Sequence, residues 1–175
     1  MDARGEGEVT PMKNRTTVNR KSDRELVVTR TFNGPARLVF EAWSKPELFK
    51  QWWVPKSMKG MSLLSCEMDV RAEGKYRLVF GVDGSKVMEV FGRYIEVTPH
   101  SRLVWTNEEG DEGGAVTTVT FEEKGGQTLL VKHDLYPSKA ALDGELAAGA
   151  AEGLPEQFEQ LDEFLLTLGA NEGRS

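Results

Sequence analysis

Two histidines are the side chains best suited to proton transfer near neutral pH, and the sequence places them differently. His100 lies in a Pro-His-Ser turn, whereas His133 alternates with Leu129, Val131 and Leu135 along a predicted strand. If that face of the strand points inward, a neutral His133 imidazole could accept a proton or hydrogen-bond a ligand. A core histidine with satisfied hydrogen bonds is the alternative, and it is the commoner case.

The sequence contains no motif typical of a metal site or a nucleotide-binding site. Cys66 is the only cysteine, which excludes an internal disulfide and a thiolate metal cluster, and no histidine pair has metal-ligand spacing. No G-x-S-x-G nucleophile motif is present, and no Gly-rich phosphate loop leads from a strand into a helix. The sequence therefore predicts no metal, no cofactor and no catalytic residue, and it favours a binding protein over an enzyme.

The segment "DVRAEGKYR" concentrates charge, with Asp69 and Arg71 predicted on one strand face. If the pair points inward, it could bind the polar head of a ligand, each charge stabilised by its partner. If it points outward, it is a surface ion pair worth only about 0.2–1 kcal/mol. The surface interpretation is favoured.

Composition indicates one globular domain. The chain has 175 residues, of which 39% are hydrophobic and 29% charged, with a formal net charge of −6. An acidic protein repels phosphate backbones and anionic lipid, and no basic patch interrupts the body of the domain, so we expect neither a nucleic acid nor a membrane partner. The single cysteine, the lack of a membrane-span-length apolar run and the lack of a secretion signal predict a cytoplasmic protein.

The chain ends differ from the body. Residues 1–24 are polar, poor in aromatic side chains and without periodicity, which predicts a flexible, solubilising tail whose second half is basic. A folded domain is expected over residues 25–170, followed by a flexible end at residues 171–175.

The body begins with a strand and two short helices. "ELVVTRTF" alternates as a strand, with Leu26, Val28 and Arg30 on one face. Pro35 then suits the first turn of a helix, and the residue before Pro46 ends it, so that Pro46 opens a second brief turn.

Strand-like segments follow, separated by short Gly-rich or Pro-containing turns that favour antiparallel neighbours. They cover residues 61–70, 75–82, 86–97, 102–107, 115–123 and 128–136. Six or seven strands in a meander should curl rather than lie flat.

The last third has helical periodicity. An apolar stripe of leucines and Phe158 recurs from Leu154 to Leu168 at spacings of four and three. The inner face of the curved sheet is the apolar surface left to cover this stripe, so the helix should lie across the sheet. Upstream, Ser138 can cap a short helix, and Gly149, Gly153 and Pro155 predict a break before the long one.

With this element order established, the residues resemble a known family. "RTFNGPARLVFEAWSKPELFKQWWVP" resembles the opening signature of proteins similar to the C-terminal domain of the activator of heat-shock protein 90 ATPase. "DVRAEGKYRLVF", "GRYIEVTPHSRLVWT" and "TVTFEEKGGQTLL" are similar to that family's strands, and the likeness runs from about Glu25 to Leu168.

The resemblance implies an α+β helix-grip fold, shared with START lipid-transfer domains, birch-pollen-type allergens and polyketide cyclases. In that fold a curved antiparallel sheet grips a long C-terminal helix around an internal cavity. Family members often have Gly-Trp ahead of the last helix, whereas here Gly153 precedes Leu154 and Pro155. We therefore expect the roof of the cavity to be more open or differently kinked at that turn.

Aromatic bulk and strand parity supply candidate cavity residues. Trp43 belongs to the apolar stripe of the first helix and is expected in the core. One of the adjacent Trp52 and Trp53 is expected either at the cavity entrance or as a buried plug that seals the fold. Methionines could add an adaptable wall. The full set of candidates is Trp52, Trp53, Tyr76, Leu78, Phe80, Trp105, Val119, Phe121, His133, Phe158 and Leu161.

The leading hypothesis is that the domain binds a small hydrophobic molecule between the sheet and the C-terminal helix, oriented by His133, Tyr76 or Arg77. One alternative is a co-chaperone-like module that stimulates a chaperone ATPase through its outer sheet face or basic tail. The separate N-terminal domain of the eukaryotic co-chaperones has no room in this chain, which argues against a chaperone partner. The other alternative is a cyclase-like or hydrolase-like enzyme in which His133 or Tyr76 moves protons.

Overall fold

A computed structural model describes residues 15–108, 114–149 and 151–172, with side chains up to residue 169. Within these residues the chain forms eight strands and four helices. In chain order they are β1 (Thr17–Arg20), β2 (Glu25–Phe32), α1 (Ala36–Ser44), α2 (Pro46–Phe49), β3 (Met61–Met68), β4 (Lys75–Val82), β5 (Ser85–Thr98), β6 (Arg102–Thr106), β7 (Val116–Lys124), β8 (Gln127–Leu135), α3 (Lys139–Ala147) and α4 (Leu154–Glu172).

The strands form one antiparallel sheet in the order β1-β2-β8-β7-β6-β5-β4-β3. Strands β3 to β8 are a continuous meander, and β8 returns to pair with β2. The two short helices carry the chain from β2 to β3 at the opposite edge. The predicted α+β helix-grip fold is confirmed, with eight strands rather than six or seven.

The additional strand is β1, which falls within the segment expected to be a flexible tail. Thr17–Arg20 pairs with Leu26–Thr29 of β2, although all four of its side chains are exposed. Backbone hydrogen bonds hold it at the sheet edge, so its sequence shows no apolar alternation. Residues 17–20 of the expected tail therefore form an edge strand, whereas residues 1–14 lie outside the described part of the chain.

The turn between β7 and β8 fixes the register of the two strands. Gly125 and Gly126 have φ values of 62° and 80°, which glycine adopts without steric cost, and this two-residue turn pairs Lys124 with Gln127. Every cross-strand pair in this hairpin follows from it, including Thr117 with Asp134.

The predicted apolar stripe of α4 lies across the inner face of the sheet. Phe158, Leu161 and Leu165 are buried, and the Phe158 ring meets the edge of Phe32 at a centroid distance of 5.5 Å. Strand β2 buries every second residue, as its alternation predicts. Under the middle of α4 the interior is therefore solid core.

A buried ion pair joins the first long strand to this helix. The Arg30 guanidinium, 5% exposed, donates through Nη2 and Nε to Asp162 Oδ2 at 2.8 and 3.3 Å. The other Asp162 oxygen accepts from the Asn33 backbone N–H at 3.1 Å. Both carboxylate oxygens are thus paired, which a buried charge requires.

Replacing Asp162 by Ala should lower the free energy of unfolding by about 3 kcal/mol, because it leaves the Arg30 guanidinium buried without its counter-charge. Urea denaturation followed by tryptophan fluorescence would measure the change. The control is Glu96→Ala, which removes a pair with Arg102 whose two side chains are more than 40% exposed, and which should change stability by less than about 1 kcal/mol. Equal effects of the two substitutions would contradict this account.

Candidate functional site: an aromatic cavity with a polar end

One row of inner-face residues crosses five strands. Cross-strand pairing places Leu26, Asp134, Thr117, Trp105 and Tyr94 side by side, from β2 to β5. The row thus begins with an apolar leucine, continues with two polar residues and ends with two aromatic ones.

These residues border a cavity of about 550 Å³ at the end of the inner face nearest α3 and the start of α4. We call it the inner cavity. The strands and the residues that flank them contribute Leu26, Met68, Tyr76, Leu78, Val90, Tyr94, Trp105, Asn107, Gly114, Ala115, Thr117, Lys132, Asp134 and Tyr136. The helical side contributes Trp43, Phe49, Trp53, Ala141, Glu145, Leu154 and Gln157.

Two glutamines of α4 hold the tryptophan segment over this space. Gln160 Nε2 donates to the carbonyl oxygens of Trp52 and Val54, each at 3.0 Å, and its Oε1 accepts from the Lys56 backbone N–H at 2.8 Å. Gln157 Nε2 donates to the carbonyl oxygen of Trp53 at 2.5 Å. The first turns of α4 therefore fix the backbone that presents Trp53 to the cavity.

The adjacent tryptophans have different environments. Trp52 is fully buried, and its Nε1 donates to the carbonyl oxygen of Ala42 at 3.0 Å. Trp53 is half-buried and stacks on Phe49 with ring centroids 4.5 Å apart. Only Trp53 borders the inner cavity.

The polar end of the cavity is a hydrogen-bonded chain. Lys132 Nζ donates to Asp134 Oδ2 at 2.7 Å, and Thr117 Oγ1 donates to Asp134 Oδ1 at 2.5 Å. Asn107 Nδ2 donates to Thr117 Oγ1 at 3.0 Å. Tyr76 continues the chain, with its hydroxyl 2.8 Å from the Thr106 carbonyl oxygen and 3.1 Å from Asn107 Oδ1. The Lys132 and Asp134 side chains are only 13% and 5% exposed, so the pair is a buried one.

Two cavity tyrosines are held in the neutral form. Burial raises the pKa of Tyr94 well above its usual value, with smaller contributions from Cys66 and Asp69. Burial also raises the pKa of Tyr136, and the nearby carboxylates of Asp134 and Glu145 add to the shift. Both hydroxyls can therefore donate a hydrogen bond throughout the neutral pH range.

Comparison with known proteins identifies the family to which the chain belongs. Residues 33–165 match the family described as "Activator of Hsp90 ATPase homolog 1-like protein". The chain belongs to this family. No curated protein matches it.

Solved structures of the family's fold are similar over most of the chain. A protein from Rhodobacter sphaeroides is 22% identical with a TM-score of 0.79, covering 87% of this chain and 99% of its own. A protein from Nitrosomonas europaea is 24% identical with a TM-score of 0.75, covering 86% and 99%. An AHSA1-like protein from Aeromonas hydrophila is 16% identical with a TM-score of 0.62, covering 82% and 94%. At these identities the likeness shows the fold.

Four of the residues proposed from the sequence border the inner cavity of this family member, namely Trp53, Tyr76, Leu78 and Trp105. Six others are buried in the adjoining core instead. They are Trp52, Phe80, Val119, Phe121, Phe158 and Leu161. Other side chains of the core cluster fill the space around these six residues.

His133 does not face the cavity, so this expectation is wrong. It pairs with Thr118 and Val27 on the outer face of the sheet, and its Nε2 lies 2.8 Å from the Glu25 carboxylate. Even-numbered residues of β8 face inward, which places Lys132 and Asp134 in the cavity. A role for His133 in orienting a ligand or moving protons thereby loses its support.

The charged candidates also lie outside the inner cavity. Arg77 points to the outer face, where its Nε donates to Glu89 at 2.5 Å. Asp69 and Arg71 form an exposed pair at 2.9 Å, as the surface interpretation predicted. No group of three or more His, Cys, Asp or Glu residues suited to a metal ion occurs in the described ranges. None of the described helices is both long and apolar enough to span a membrane.

The polar end of the cavity was missed by sequence reasoning. "VKHDL" at the end of β8 contains three consecutive polar residues, so alternation gives no direction there. The signal lay in the hairpin: if Val119 faces inward, the Gly125-Gly126 turn pairs it with Lys132 and places Lys132 inward too.

The backbone at Gly92 lies so close to Thr106 and Tyr76 that it leaves no room for a side chain. A Cβ at this position would lie 2.0 Å from the Thr106 carbonyl oxygen and 2.9 Å from Tyr76 Cε1. Gly92→Ala should therefore lower the free energy of unfolding by about 1–3 kcal/mol, measured by urea denaturation. Gly144→Ala in α3 is the control, because a Cβ there meets open space and alanine favours helix, so stability should rise by up to about 1 kcal/mol. A neutral Gly92→Ala variant would refute the close approach.

Burial of Tyr94 predicts a loss of stability at high pH. Its pKa is raised on folding, so its contribution is complete below the unfolded value of about 10 and declines as pH rises above that value. The free energy of unfolding, measured from pH 9 to 11, should fall less steeply in Tyr94→Phe than in the wild type, by at most about 1.4 kcal/mol per pH unit. Identical slopes would show that burial does not hold this phenol neutral.

Proposed function

We propose that the inner cavity binds a small, largely apolar molecule. The observation that carries the proposal is an aromatic wall facing open space: Trp43, Phe49, Trp53 and Trp105 all border the same cavity. Its volume of about 550 Å³ lies within the range typical of small-molecule sites, about 300–1,000 Å³. Affinity would come from apolar area removed from water, at about 25 cal/mol per Å².

Contrast with the rest of the interior supports this proposal. Protein interiors are close-packed, with few voids larger than a water molecule. Under the middle of α4 the side chains of Phe32, Phe158 and Leu161 obey that rule and are fully buried. A space of this size beside them, with its covering segment fixed by Gln157 and Gln160, is better explained as a binding site than as a packing defect.

The test uses N-phenyl-1-naphthylamine, an uncharged apolar probe whose fluorescence rises when it leaves water. The wild-type protein should bind it saturably. Val90→Trp, which fills the cavity from β5, should weaken binding at least about ten-fold, since a blocked site loses the apolar contacts that supply affinity.

Val87→Trp is the matched control, because Val87 lies on the same strand but is 56% exposed and outside the cavity. It should leave probe binding unchanged. Circular dichroism melting would verify that both variants are folded. Absence of saturable binding, or equal binding by folded Val90→Trp, would contradict the proposal.

A co-chaperone-like role is the second candidate, and the family description favours it. It uses a protein surface rather than the cavity, so it predicts that Val90→Trp stimulates a heat-shock protein 90 ATPase as well as the wild type does. An ATPase assay with both forms separates the two candidates. Lack of stimulation by the wild type would count against the co-chaperone role.

A further inference from the structure

The inner cavity borders hydrogen-bond donors that the described part of the chain leaves unused. The Lys132 ammonium has three N–H donors, and one of them bonds to Asp134. Among the described residues, the Trp43 Nε1 donor is buried without a hydrogen-bond partner. The hydroxyls of Tyr94 and Tyr136 border the cavity and make no hydrogen bond to another described residue. A buried donor without a partner costs free energy, so a ligand that satisfies one gains affinity.

The acceptors beside these donors are already engaged. Both carboxylate oxygens of Asp134 accept hydrogen bonds, from Lys132 and Thr117. Thr117 Oγ1 also accepts from Asn107, and Asn107 Oδ1 lies within hydrogen-bond distance of the Tyr76 hydroxyl. A ligand reaching the sheet side of this end therefore meets the remaining donors of Lys132 and Tyr136, and it can use them only if it brings an acceptor. Two other acceptors that line the cavity, the Glu145 carboxylate and Gln157 Oε1, lie on its helical side.

Two of the unused donors lie at the same end. Lys132 lies in β8 and Tyr136 directly follows its last residue, two positions before and two after Asp134, and both border the cavity. The Asp134 carboxylate contacts the Lys132 ammonium directly and acts electrostatically on the Tyr136 phenol. One acceptor atom near Asp134 could thus be approached from both sides.

The charge at this end disfavours an anion. The buried Lys132 ammonium is already balanced by Asp134, and Glu145 adds a carboxylate at the exposed rim. A ligand carboxylate would lose its hydration without finding an unbalanced positive charge. A neutral oxygen acceptor avoids that cost and still receives the hydrogen bonds.

We infer that the ligand of the inner cavity carries an uncharged, carbonyl-type oxygen, which lies between Lys132 and Tyr136 while its apolar body contacts the tryptophan wall. This inference rests on the proposed function and specifies the class of molecule bound.

Three naphthalenes of matched shape test it, each measured by displacement of N-phenyl-1-naphthylamine. 2-Ethylnaphthalene has no acceptor, 2-acetylnaphthalene has a neutral carbonyl, and 2-naphthoate is an anion. The ketone should bind about ten-fold more tightly than the hydrocarbon, because a hydrogen bond from a charged donor adds that much, and the carboxylate should bind more weakly than the ketone.

Variants assign the effect to its donors. Lys132→Met keeps the apolar stem and should abolish most of the preference for the ketone while leaving 2-ethylnaphthalene binding unchanged. Lys132→Met leaves the buried Asp134 carboxylate without its counter-charge. The double variant Lys132→Met/Asp134→Asn removes that charge too, and its preference for the ketone over the hydrocarbon should be lost in the same way. Tyr136→Phe should reduce the preference partly. Lys75→Met, on the exposed side of β4, is the control and should keep it whole.

The possible results separate a failure of the carbonyl inference from a failure of the proposed ligand-binding function. If the hydrocarbon binds as tightly as the ketone, or the carboxylate binds best, the cavity is an apolar site and the carbonyl inference is overturned. If the preference survives in the folded double variant, Lys132 is not the donor and the inference fails. If neither the probe nor any naphthalene binds, the proposed function fails with it.

Discussion

An antiparallel sheet of eight strands has an inner face that one helix cannot cover, and the rest of the structure follows from this mismatch in area. Helix α4 packs its apolar stripe along part of the face and produces a solid core around Phe32 and Phe158. The remaining part, where the inner cavity lies, needs other cover. It receives α1, α2 and the tryptophan segment from one side, and α3 from the other, and these pieces border a partly open hollow instead of filling it.

Hydrogen bonds fix groups on both sides of the hollow. Gln157 and Gln160 bind the backbone of residues 52–56, so the tryptophan segment is fixed by hydrogen bonds and cannot simply settle onto the sheet. On the sheet side, the bonds among Lys132, Asp134 and Thr117 satisfy groups that would otherwise be costly to bury. Groups on both sides of the cavity are therefore positioned by hydrogen bonds before any ligand binds, as a preorganised site requires.

Much of this architecture could be predicted from the sequence, because strand alternation, helical spacing and turn residues are local signals. The strand at Lys75–Val82, the cap at Ser138 and the break before Leu154 were all read from such signals and are confirmed. Local signals cannot tell which face of a strand points inward when both faces carry mixed residues. That is why His133 was placed inside and Lys132 was overlooked.

Sequence patterns also do not show where the interior leaves an unfilled cavity. Phe80 and Val119 were assigned to the inner face, and they lie there, but whether such a residue lines a hollow or fills the core depends on what packs above it. The same limit applied to the adjacent Trp52 and Trp53, whose separation into core and cavity follows from the hydrogen bond of Trp52 to Ala42.

The central claim is that three of the four tryptophans face a space open to a ligand. Two-dimensional NMR of the indole N–H groups during titration with an uncharged apolar molecule tests it most directly. The account predicts that the signals of Trp43, Trp53 and Trp105 shift more than that of Trp52, whose N–H is bonded to the Ala42 carbonyl oxygen. Four unchanged signals, or a shift confined to Trp52, would contradict it.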